Sequence, residues 1–259
     1  MNRKHLATLI LALGLFSLIN ATPAEKRPAS NYLETSKSET NNNANALKAW
    51  KAGTKVTAAA IKEYGIDNCF AVSEINKSIL HRIQGKSYKT GCTIPLSDLR
   101  YLKVLHYNKE GEICLGEMIC HKDISADLID IFRRLYSAHY PIARMVLVDE
   151  YGADDERSMT DNNTTCFNYR TVANSRTLSN HSKGRAVDIN PLYNPHVKKL
   201  RNGTVRTSPA AGKSYADRSR TFDYKIDTND LCYKEFIKHG FRWGGNWKHS
   251  KDYQHFEKP

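Results

Sequence analysis

The sequence predicts an α+β fold, a mostly antiparallel sheet with helices packed on one face. Three segments carry that prediction. The runs Tyr101–Tyr107 and Ile113–Ile119 flank Asn108-Lys109-Glu110-Gly111, the pattern of a β-hairpin with glycine in its turn. Ile124, Leu128, Ile131, Phe132, Leu135 and Tyr136 recur at three- and four-residue spacing, which predicts an amphipathic helix over 123–139. A further helix is expected over 228–239, with Gly240 as its C-terminal stop. The 259 residues are enough for one large buried core, and 40% apolar with 25% charged residues suits a globular chain. No internal repeat is visible, which argues against a solenoid or propeller.

From the N-terminus, residues 1–24 read as a signal peptide. Arg3, Lys4 and His5 precede an almost unbroken apolar run from Leu6 to Ile19, short for a bilayer span, and the small residues Ala21 and Ala24 follow. A retained N-terminal anchor is the competing reading. The expected location is therefore outside the cytoplasm: periplasm, cell envelope or extracellular space, with no membrane span in the mature form. Residues 25–50 are rich in Ser, Thr and Asn and hold too few apolar groups to offset the entropy of ordering, so they read as a disordered linker. Residues 51–259 form the globular domain. Within it, Pro141 ends the first helix, Ile142–Val148 reads as a buried strand, and 252–258 suits a short strand. Export changes how Cys69, Cys92, Cys114, Cys120, Cys166 and Cys232 are read: an even number in an oxidising compartment admits disulfides, and reduced core residues fit equally well. None forms a CxxC pair, so a thiolate metal site has little support.

The formal net charge is +12. Nucleic acid, an anionic envelope polymer and simple solubility all fit that balance. Expected export and the lack of any nucleic-acid motif leave nucleic acid out. An anionic cell-wall polymer stays as a partner for the basic surface.

The chemistry concentrates in two stretches. Ser179-Asn180-His181-Ser182-Lys183-Gly184-Arg185-Ala186-Val187-Asp188 sets a histidine and an aspartate around a glycine that permits a sharp turn and an alanine small enough for close packing. Imidazole plus carboxylate makes two of the three protein ligands of an open catalytic zinc site; a surface hydrogen-bonded pair is the ordinary alternative. The tail holds Trp243-Gly244-Gly245-Asn246-Trp247 and then Asp252-Tyr253-Gln254-His255-Phe256. Together, SxHxxGxAxD, WGGxW and DxxHF resemble the VanY-type D-alanyl-D-alanine carboxypeptidase and L-alanyl-D-glutamate endopeptidase family of zinc peptidases. That family belongs to the lysostaphin, D-Ala-D-Ala carboxypeptidase and hedgehog fold group. The stretch Asp155–Arg170 also resembles the segment preceding the first motif in that family, and the likeness extends over residues 65–259.

The resemblance implies a zinc cofactor with His181, Asp188 and His255 as ligands. It implies Asp252 as general base, Arg170 as the cation that steadies the substrate carbonyl or carboxylate, and Ser179 as the residue that orients the substrate or His181. Asp252 stands where the dipeptidases of the wider family have Glu, which favours the endopeptidase and carboxypeptidase branch. The implied activity is that of an exported zinc metallopeptidase cutting peptidoglycan stem peptides, at D-Ala-D-Ala or at L-Ala-D-Glu. The alternative is a non-catalytic zinc-containing module of the same fold that binds the cell wall. A free substrate carboxylate needs a cation, for which Arg170, Arg185 and Arg242 are candidates. His196 and His249 match no motif and read as surface or substrate-side residues. Phe241, Trp243, Trp247, Tyr253 and Phe256 read as core and cleft wall in preference to a glycan-stacking platform.

Overall fold

In the computed structural model the described residues are 41–172 and 175–259. The expected signal peptide, and the linker reading up to residue 40, lie outside them. Residues 41–49 are helical (α1), and Leu47 and Trp50 are buried in the main core. The linker expected to reach residue 50 is corrected there. Leu47 on the helix and Trp50 in the turn just after it supply the burial that average composition hides, and Trp50 Nε1 donates to the Gly116 carbonyl at 3.0 Å.

The first sheet has the order β1-β4-β3-β2. It is built from β1 (Lys55–Val56), β2 (Ala71–Glu74), β3 (Leu99–Tyr107) and β4 (Ile113–His121), all antiparallel. The β3–β4 hairpin is the expected one, its turn closed by Asn108, whose Oδ1 accepts from the Glu112 amide at 2.8 Å. The short helices α2 (Ala58–Tyr64) and α3 (Lys77–Ile83) flank this sheet, capped by Thr57 and Asn76. Helix α4 (Lys122–Ser137) matches the predicted amphipathic helix and buries Ile124, Leu128, Ile131, Phe132 and Leu135 against β3. The chain continues through α5 (Asp155–Thr160) and β5 (Ala186–Asp188) to β6 (His196–Lys199) and β7 (Val205–Ser208). Helix α6 (Leu231–Lys238), capped by Asp230, packs on α4. Strands β8 (Arg242–Trp243), β9 (Lys251–Asp252) and β10 (His255–Glu257) complete two three-stranded sheets, β5-β10-β8 and β7-β6-β9. The fold is α+β with antiparallel ladders, as expected, but its strands divide among three sheets.

One expectation changes and one open alternative is decided. Ile142 and Met145–Val148 are buried, but the run makes only an isolated bridge at Arg144 and no ladder. Asparagine side chains serve in place of a strand partner: Asn190 Oδ1 accepts from the Ala143 amide at 3.0 Å and Asn163 Oδ1 from the Val146 amide at 2.9 Å. All six cysteines are free. Burial pushes the thiols of Cys120, Cys166 and Cys232 far up, so they behave as inert core groups.

His106 on β3 is buried among apolar groups, its Nδ1 donating to the Ile142 carbonyl at 2.8 Å. Burial lowers its pKa from 6.5 to about 4. In that window the unfolded chain takes up a proton that the folded chain refuses, so stability falls with pH. The expected loss between pH 6.5 and pH 4 is about 3 kcal/mol from this residue. Imidazole NMR checks it: a His106 signal titrating near pH 6.5 would refute the assignment.

Candidate metal centre

The first motif is a tight turn seated on the β3–β4 hairpin. Ser179 Oγ accepts from the His181 amide at 3.3 Å and caps a 3-10 turn over Asn180–Lys183. Gly184 ends that turn in the left-handed region, φ 66°. A side chain there would be strained, and its Cβ would lie 2.7 Å from the His121 amide nitrogen and 3.0 Å from the Cys120 carbonyl carbon. The His121 amide donates to the Gly184 carbonyl at 2.8 Å, so the end of β4 holds the turn directly. The chain then enters β5, where Ala186 is fully buried and Asp188 closes the motif.

The second motif arrives from the opposite side. Strand β10 lies between β5 and β8, registered so that His255 faces Asp188 and Phe256 faces both Val187 and Trp243. Phe256 stacks on Phe236 of α6 with centroids 4.3 Å apart, anchoring the strand from its apolar face. Gly244 makes the required room: a Cβ there would lie 2.7 Å from the Asp252 carbonyl oxygen and 2.8 Å from the Asp252 Cβ.

His181, Asp188 and His255, all buried, converge. His181 Nε2 is 3.2 Å from His255 Nδ1 and 3.2 Å from Asp188 Oδ2, and His255 Nδ1 is 3.0 Å from Asp188 Oδ1. Corners of a tetrahedron around zinc, with arms of about 2.0 Å, are about 3.3 Å apart. The donor set and its spacing therefore fit zinc. The remaining ring nitrogens are fixed to match. His181 Nδ1 donates to the Cys166 carbonyl at 2.6 Å, leaving Nε2 as the free lone pair. His255 Nε2 donates to Glu257 Oε2 at 3.2 Å, leaving Nδ1, and Glu257 Oε2 is itself held by Asn180 Nδ2 at 2.6 Å. Burial works to raise the Asp188 carboxyl, but the imidazoles of His181 and His255 prevail and hold it well below the usual range. Burial likewise works against charge on His255, and the carboxylates of Asp188 and Glu257 outweigh it, raising its pKa to about 10. The pocket is thus built to surround a positive charge.

Residues 173–258, about a third of the chain, match the family model described as D-alanyl-D-alanine carboxypeptidase. In that segment the chain is similar to the family. Neither the curated proteins nor the solved structures contain a match. The family supports a hydrolytic peptidase that acts on peptidoglycan.

The VanY-type motif residues open onto one cleft of about 660 Å³, lined among others by Arg170, Ser179, His181, Asp188, His196, Trp247, Asp252 and His255. Asp252 Oδ1 is buried without a hydrogen-bond partner among the described residues, and burial raises its carboxyl above the ordinary range. Arg170 reaches the cleft while paired with Asp155, and its backbone is held by Ser182, whose Oγ accepts from the Arg170 amide at 2.7 Å. Arg185 pairs with Asp123 instead, and neither it nor the exposed Arg242 lines the cleft. His249 is exposed and away from the cleft, whereas His196 is part of its wall with a buried, unpartnered Nε2. Phe241, Trp243 and Phe256 are core; Trp247 is the cleft-wall aromatic, 5.2 Å from the His255 ring.

Glu257, Asn180, Ser182 and the Cys166 carbonyl were not singled out from sequence. Glu257 had a usable signal, since a residue two beyond His255 on a strand shares its face. Gly244→Ala is expected to displace Asp252 and cost about 10²-fold in peptide turnover, because a shift near 1 Å at a reacting group has that effect. Wild-type turnover by that variant would show that the close approach of Gly244 to Asp252 is dispensable.

Proposed function

We propose that the cleft hydrolyses peptide bonds in peptidoglycan stem peptides, with zinc held by His181 Nε2, His255 Nδ1 and Asp188. When bound, such an ion polarises a carbonyl and brings the pKa of water at its open position to about 7. The observation that carries the reading is the convergence of these three donors with Asp252, whose buried Oδ1 has no hydrogen-bond partner among the described residues, in one cleft.

Asp252 takes the proton of the attacking water and returns it to the leaving amine, a role that suits a buried carboxylate raised towards neutral pH. Arg170 supports the developing negative charge on the carbonyl oxygen, with Asp155 fixing its guanidinium until substrate arrives. Ser179 orients His181 through the turn that it caps. Trp247 shields one side of His255 from water. Export, inferred from residues 1–24, would bring the enzyme to this substrate, and the net charge of about +10 left after losing Arg3 and Lys4 would hold it on an anionic cell-wall polymer.

Mass spectrometry of defined muropeptides tests the proposal. Purified protein should release either D-alanine or a fragment cut at L-Ala-D-Glu, and a chelator should abolish the release. Intact muropeptides with zinc-loaded protein would instead favour the non-catalytic wall-binding module.

A further inference from the structure

One face of the β7-β6-β9 sheet continues beyond the cleft. Cross-strand partners, and residues two apart on a strand, project to the same side. His196 is registered against Ser208 on β7 and against Asp252 on β9, and all three line the cleft. The next row on that face is Lys198 paired with Arg206. It stands about 7 Å further along the sheet. Both residues are exposed. Neither has an acidic partner among the described residues, and no Asp or Glu occurs between Asp188 and Asp217. Like charges directly opposite one another across two strands are destabilising, so the fold gains nothing from this pair.

We propose that Lys198 and Arg206 bind a carboxylate of the substrate. The preferred substrate is then an acidic peptide whose carboxylate lies about 7 Å, two extended residues, from the bond held over Asp252. A lysine beside an arginine fork accepts a carboxylate through charge-assisted hydrogen bonds, and the open rim lets the group enter without burying its charge. Arg170, which lines the same cleft, is paired with Asp155, whereas the Lys198–Arg206 row has no counterion among the described residues. His196 Nε2, buried in the first row and unpartnered among the described residues, supplies a polar contact for the intervening peptide unit. The inference rests on the peptidase reading for the placement of the scissile bond, but the subsite can be measured without turnover.

The test uses three forms of L-Ala-γ-D-Glu-L-Lys-D-Ala-D-Ala: the free acid, the D-Glu carboxamide and the C-terminal carboxamide. Binding is measured by calorimetry on full-length zinc-loaded Asp252→Asn protein. One carboxamide should bind about tenfold more weakly than the free acid, and which one it is identifies the carboxylate recognised. In Lys198→Ala/Arg206→Ala, made in the same Asp252→Asn background, that difference should shrink to less than about twofold. Lys62→Ala/Lys77→Ala, also in that background, removes the same charge from α2 and α3 and should leave the difference intact. Equal binding of all three forms, discrimination that survives loss of Lys198 and Arg206, or its loss in the α2/α3 control would overturn the proposal. Discrimination in binding by a protein whose Asp252 form cuts none of the peptides would leave the subsite standing and remove the peptidase reading.

Discussion

Asp252→Asn is expected to lower peptide turnover by about 10²–10⁴-fold while the protein keeps its zinc. The substitution keeps the shape that Gly244 accommodates, so the loss isolates the proton-transfer role. Asp252 is not among the three converging donors, which is why metal content should not change. Single-turnover hydrolysis and metal analysis on the same preparation check both halves. An Asp252→Asn enzyme that digests stem peptides at the wild-type rate would remove Asp252 from the mechanism.

Metal affinity should fall in a graded order. His181→Ala removes a donor outright. Glu257→Gln removes only the carboxylate that fixes the His255 ring, and partners of that kind are worth about 10–100-fold in affinity. Competition against a chromophoric chelator should therefore place Glu257→Gln between wild type and His181→Ala. Identical affinities in all three proteins would mean that zinc binds elsewhere. Because this reads affinity alone, it stands apart from any assay of hydrolysis.

The donor triad was legible through the resemblance of its two motifs to a known family; the residues alone offered a histidine and an aspartate around a glycine, two ligands of three. What holds the triad was less so. The Cys166 carbonyl that sets the His181 tautomer is a backbone group, and any residue type at position 166 would provide one. His196 was set aside because nothing in its local sequence announces that β6 will pair with β9 and carry it to Asp252. The hydrophobic run Ile142–Val148 correctly predicted burial, but burial is not pairing; the side chains of Asn163 and Asn190 satisfy backbone amides that a strand partner would otherwise take. Helix α1 was hidden for a different reason, since Leu47 and Trp50 are two anchors in an otherwise polar stretch. By contrast the β3–β4 hairpin and α4 were clear, each being long and strongly periodic.

The seat of Gly184 on β4 bears on what is inherited as a unit. The matched segment 173–258 contains all three converging donor side chains, His181, Asp188 and His255, but neither the Cys166 carbonyl nor the β4 end against which the first motif closes. Phe256 and Val187, inside the segment, share one core with Leu128 and Leu102, outside it. The stretch that carries the chemical signature is therefore smaller than the stretch that must fold to display it. Descent could vary the described residues before it, 41–172, freely in sequence only so long as they continued to present a strand end and one carbonyl at the right place. A catalytic cassette of this kind is recognisable by its side chains and dependent on a host scaffold for its backbone, so transplanting it means transplanting that contact surface as well.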